Sequence, residues 1–247
     1  MPARLRPGSV RRARAALRLW LAGAVAVFGA TSAAADIVSA RYTDPTPRYD
    51  HGILGDAIEY GTLELRLRDG QGLRLVLPDT HVFEDIAPRL HDLDGDGDVE
   101  VIVIETDMAR GARLAVYDER GLVAATPYIG RTHRWLAPIG AADLDGDGFV
   151  EIAYIDRPHL AKILRIWRFQ NGRLEHVSDT PGLTNHRIGE DYISGGIRDC
   201  GEGPEMITAD AGWQSVMASQ FDGKRVTSRK IARHSGRKGF DAALRCK

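Results

Sequence analysis

Apolar positions along this chain come in short runs, and the runs recur. Residues 63–67, 114–117, 164–169 and 216–221 alternate apolar with polar or small side chains, the period-two pattern of half-buried strands. Each run leads to a glycine, and Gly70, Gly121, Gly172 and Gly223 lie 51 residues apart at every step. Three of them sit in Asp69-Gly70, Asn171-Gly172 and Asp222-Gly223, pairs that favour tight hairpin turns. Four equal periods predict four like units, each with its own hairpin. Two further runs, 101–104 and 152–155, are almost wholly apolar and rich in β-branched residues, as strands buried on both faces are. Beyond the N-terminal segment no stretch longer than about ten residues keeps a 3.6-residue apolar period, so the expected fold class is all-β.

Immediately before those two buried runs the chain turns acidic in the same way twice. Residues 92–100 read DLDGDGDVE and residues 143–151 read DLDGDGFVE, again 51 positions apart. Carboxylates at alternate positions with glycines between them suit a hard divalent cation of calcium size, which takes six to eight oxygens inside a tightly curled loop. The ligands expected in the first loop are Asp92, Asp94, Asp96, the Asp98 carbonyl and Glu100. In the second they are Asp143, Asp145, Asp147, the Phe149 carbonyl and Glu151. Two calcium sites are therefore expected. Without a cation, either loop crowds like charges. An EF-hand opens with the same letters but needs a glutamate at its twelfth position and flanking helices. Here that position is Val103 or Tyr154, and strand-like sequence follows.

The DxDGDGxxE loop running into an apolar strand resembles the FG-GAP repeat, also called the VCBS-type or integrin-α-like repeat. The approach to the second loop, from Ala137 through Ala142, is similar to that family as well. The resemblance implies β-propeller blades that carry calcium in this loop. Together with the 51-residue period it gives a small β-propeller of four blades, or five if the two chain ends combine. An open β-sandwich or a β-helix is the competing architecture.

The outer units depart from the pattern. Residues 198–205 (RDCGEGPE) lack the leading carboxylate, and residues 55–59 (GDAIE) hold too few oxygens, so neither is expected to take calcium. Cys200 lies in the first of these degraded loops and Cys246 one residue from the end of the sequence. An even pair reads as a disulfide in an oxidising compartment. Such a bridge would fasten the C-terminal tail to the last blade, organising a loop that has no metal.

Residues 1–35 combine six arginines and no acid with the apolar run 17–30 and a small-residue exit, Ala33-Ala34-Ala35. That order defines a secretory signal peptide, with an apolar run too short for a confident membrane span. Arg11-Arg12 hints at twin-arginine export without the residues that usually follow it. Periplasmic or secreted localisation is expected, with residues 36–247 as one propeller domain. Because all six arginines precede Asp36, 27 of the 33 basic residues and all 34 acids belong to that domain. It is distinctly acidic, which argues against a nucleic-acid partner. The locally basic run 224–238 reads as a solvated outer strand and tail.

Catalytic signatures are missing: the chain has no GxSxG elbow, HExxH helix or phosphate-binding glycine loop. His81, His133 and His186 recur in similar settings, and one repeated structural hydrogen bond per blade is the expected reason. Trp135, Trp167 and Trp213 are expected to pack blades. Two functional classes follow. The first is a non-catalytic, calcium-stabilised binding module for a protein or carbohydrate ligand. The second is a secreted hydrolase or lyase that uses one propeller face as its scaffold, which demands a histidine and a carboxylate with shifted pKa values converging on that face.

Overall fold

The computed structural model describes residues 36–247, so residues 1–35, where a signal peptide is expected, lie outside the described residues. The first unit contains β1 (Ile37–Thr46), β2 (Glu59–Leu67) and β3 (Gly72–Val76). The short β4 (His81–Phe83) leads to a second unit of β5 (Arg89–His91), β6 (Glu100–Asp107), β7 (Gly111–Asp118) and β8 (Gly121–Ala125). The third unit is β9 (Leu136–Ala142), β10 (Val150–Asp156), β11 (Ile163–Gln170) and β12 (Arg173–Pro181). The fourth is β13 (Leu183–Thr184), β14 (Gly196–Asp199), β15 (Pro204–Asp210), β16 (Ser215–Phe221) and β17 (Val226–Arg233), followed by α1 (Arg237–Leu244). All strand pairs are antiparallel.

The predicted hairpins form where the glycines fall. Gly70, Gly121, Gly172 and Gly223 join β2 to β3, β7 to β8, β11 to β12 and β16 to β17, each with positive φ. The second and third units are each a four-stranded meander, and the fourth is a five-stranded sheet in which β13 and β14 both pair with β15, so the fold is all-β and propeller-like. The first two units are not separate sheets, however. β4 pairs with both β2 and β6, joining them into one eight-stranded sheet.

Alternation along the central strands builds two cores back to back. All eight residues of β6 are buried. Val101 and Val103 pack with Leu63, Leu65 and Phe83, while Ile102 and Ile104 pack with Leu136, Ile152 and Leu164 of the third unit. The second core continues to Met206 and Phe221 of the fourth unit. The far face of that last sheet is covered by α1, whose Phe240 and Ala243 pack on Ile207, Val216 and Ala218. The disulfide Cys200–Cys246, with Cα atoms 5.8 Å apart, ties the end of α1 to the β14–β15 turn. Arg198 reinforces the same junction: its guanidinium donates to the Ala243 carbonyl (2.7 Å) and pairs with Glu205.

Candidate functional site

Both acidic loops adopt one backbone. In the first, Gly95 and Gly97 have φ of 77° and 94°; in the second, Gly146 and Gly148 have 77° and 90°. These left-handed residues let the chain curl, and the curl is held by its own carboxylates. Asp92 accepts from the N–H of Gly95 (2.8 Å) and Gly97 (3.1 Å), and Asp143 accepts from Gly146 (2.8 Å) and Gly148 (3.0 Å). Glu100 and Glu151 reach back from the start of β6 and β10 to the Leu93 and Leu144 N–H groups, both at 2.8 Å. Asp98 and Phe149 engage Asp96 and Asp147 through their N–H groups.

Carboxylate oxygens of Asp92, Asp94 and Asp96 lie within 4.8 Å of one another, as do those of Asp143, Asp145 and Glu151. Glu100 and Asp147 thus fall outside the tightest groupings of their own loops. Burial, then the charges of Asp94, Asp96 and Asp92, push the Glu100 carboxyl up to about 7.

The second loop contains a cation that its sequence motif does not reveal. Arg168 projects from β11, opposite Glu151 in the β10–β11 register. Its guanidinium contacts Asp145 (2.6 Å), Asp147 (2.8 Å) and Glu151 (2.6 Å). In the second unit the residue 51 positions earlier is Tyr117, whose hydroxyl turns instead to Glu105. A Cβ on Gly223 would come within 2.8 Å of Asp145 Oδ2, so the β16–β17 hairpin of the next sheet abuts this loop.

A second constellation escaped the sequence motifs. His51, His133, Trp135, Arg134, Arg157 and His159 share a cavity of about 230 Å3 with an apolar rim that includes the exposed Leu160 and Ile188. They come from four loops: the β1–β2 connection, the segment before β9, the β10–β11 turn and the segment after β13. His51 Nδ1 meets Glu84, which is fully buried and also accepts from Thr106 Oγ1 (2.6 Å). Burial raises the Glu84 carboxyl above its ordinary value, against the opposing pull of His51. A histidine and a buried carboxylate with a shifted pKa therefore converge here. His186 donates from Nε2 to the Glu190 carbonyl (2.9 Å), and its Nδ1 accepts from His159 Nε2 (3.0 Å). Burial first, then His186 and His51, lower His159 to about 4.

The recurring histidines do not share one role. His81 Nδ1 pairs with Thr80 Oγ1 and its Nε2 lies 3.5 Å from Asp107; His133 Nε2 pairs with Asp50; His186 relays between His159 and a carbonyl. Their similar sequence settings do not give them equivalent surroundings: His81 opens β4, whereas His133 precedes β9 and His186 follows β13. Of the tryptophans, Trp135 is 2% exposed and Trp167 packs against the same core. Trp213 instead lies beneath the Arg187 guanidinium and beside Phe240.

Residues 92–154 match the family model of the FG-GAP-like repeat, so the chain carries FG-GAP-like repeat sequence over that stretch. The match runs from the first acidic loop through the second loop into β10. Among solved structures, the exotype rhamnogalacturonan lyase YesX is similar over 82% of this chain and 49% of that one, with 17% identity and a TM-score of 0.47. The chain thus spans about half the length of that lyase. No curated protein matches it.

Proposed function

We propose that this is a periplasmic or secreted calcium-stabilised binding module, with calcium in both acidic loops and no catalytic duty for the metal. The observation that carries the reading is the repeated carboxylate cage with its shared backbone. The donors fit the ion: they are all oxygen, they are gathered on one curled loop, and Glu100 is held at an elevated pKa by burial and neighbouring charge. Asp92, Asp94, Asp96, Glu100 and the Asp98 carbonyl would hold calcium in the first loop. Asp143, Asp145, Asp147, Glu151 and the Phe149 carbonyl would do so in the second. The ion neutralises clustered charge at the start of β6 and β10, stiffening the edges from which neighbouring loops project. The disulfide accords with an oxidising compartment, and among the described residues no helix is long and apolar enough to cross a membrane. The partner is a protein or carbohydrate met by the loop face.

The two sites are unequal in this reading, because Arg168 must withdraw before the second loop can take an ion. Calorimetric titration of the purified protein tests the proposal: two binding events are expected, the tighter in the first loop. Asp94→Ala should weaken that event at least tenfold and leave the other intact. Arg168→Gln should strengthen the weaker event by on the order of tenfold, since its three ion-pair contacts no longer compete for the carboxylates. A titration with no calcium heat in the unmodified protein, after metal removal is verified, rejects the reading.

The His51–Glu84 convergence is the observation that favours the alternative, a hydrolase or lyase built on the loop face. Hydrolysis of nitrophenyl esters or glycosides that is abolished by His51→Gln yet survives Asp94→Ala would decide for it.

A further inference from the structure

We propose that the histidine-lined cavity is a binding site for a small organic anion, with Arg134 holding the charged head group and Leu160 and Ile188 covering an apolar ring. Four observations carry this.

The first is charge. In a domain with more acids than bases, no carboxylate lines this cavity, yet two guanidinium groups do. Arg157 is committed to the buried Asp156 through contacts of 2.8 and 2.9 Å. Arg134 donates only to the His133 carbonyl (2.6 Å) and, among the described residues, has no carboxylate within 4.0 Å. An unpaired guanidinium beside a polar cavity is suited to a planar or tetrahedral anion, which it binds through two parallel N–H groups.

The second is the state of the imidazoles. His51 is held at Nδ1 by Glu84, His133 at Nε2 by Asp50, and His159 at Nε2 by His186. Each ring is oriented by a hydrogen bond at one nitrogen, so the imidazoles frame the cavity in fixed positions while the anion's charge is met by Arg134.

The third is backbone strain. His133 and Arg157 both line the cavity and both have left-handed φ, 52° and 48°. Non-glycine residues held there are uncommon and cluster at ligand sites. The fourth is size and rim. About 230 Å3 lies below the range of drug-sized ligands and suits a single ring with its head group. Leu160 and Ile188, 63% and 70% exposed, stand at the opening without a partner.

Carboxylate and phosphate heads offer the same chemistry to Arg134, and benzoate and phenyl phosphate separate them. The uncharged benzamide controls for the ring. With 15N-histidine-labelled protein, the ring signals of His51, His133 and His159 should shift saturably with benzoate or phenyl phosphate, the stronger of the two identifying the head group. Benzamide should leave them in place. Arg134→Gln should weaken the response at least tenfold, with an unchanged melting temperature confirming its fold. Absence of saturable shifts with both anions, equal shifts with benzamide, or undiminished binding in folded Arg134→Gln would each overturn the proposal. The benzamide comparison uses unmodified protein and stands even where the variant does not fold. Calcium plays no part in it, so this outcome is independent of the metal loops.

Discussion

Replacing Cys246 by serine lowers the melting temperature by about 8–16 °C relative to the oxidised protein, the largest stability change expected of a single surface substitution here. The bridge closes a loop of sequence separation 46. In the chain-entropy account that constraint is worth about 4 kcal/mol, and about 2–4 °C accompanies each kcal/mol in a domain of this size. The effect is concentrated at one junction. Without the bridge, α1 is held on the last sheet chiefly by Phe240, Ala243 and the Arg198 contact to the Ala243 carbonyl. Hydrogen exchange should therefore show α1 opening first, well before β6 or β10. Cys200→Ser should give the same curve as Cys246→Ser, because neither cysteine has another partner. Equal melting of oxidised and reduced protein would show that the helix is held without it.

Calcium supplies the second large effect. At 10 mM the ion raises the melting temperature by about 3–11 °C over the chelator-treated protein, if the first loop binds with the roughly 0.1–1 mM affinity common in extracellular modules. A ligand confined to the folded state stabilises it by about 1.4–2.7 kcal/mol per site under those conditions. Most of the shift should come from the first loop, where no arginine competes. Asp94→Ala should remove that part, while Asp145→Ala should lower the metal-free stability too, by breaking a contact to Arg168. Magnesium at equal concentration should do less, since it demands tighter octahedral geometry and parts reluctantly with water. A melting curve indifferent to calcium and chelator alike would remove the metal from the account.

The legible parts of this fold were those written in local sequence. Four glycines in register marked four hairpins because a tight turn needs positive φ and little else supplies it. The acidic loops were legible because alternating carboxylates and glycines state both chemistry and curvature within nine residues. β1 was not, since it is a largely exposed edge strand with Pro45 within it. α1 was missed because eight residues with two buried positions hardly make a period. Arg168 and the His51–Glu84 pair were hidden for another reason: each joins residues that are 17 to 33 positions apart or more. Such contacts depend on strand register and on loops meeting, which no single stretch encodes.

The helix packed on the far side of the last sheet has an evolutionary corollary. A repeat array lengthens most simply by tandem duplication at a side where a new unit finds an apolar surface to stack on. Here that surface is taken by Phe240 and Ala243 and stapled by a covalent bond. A further unit could stack on that face of the last sheet only by displacing α1 and its bridge.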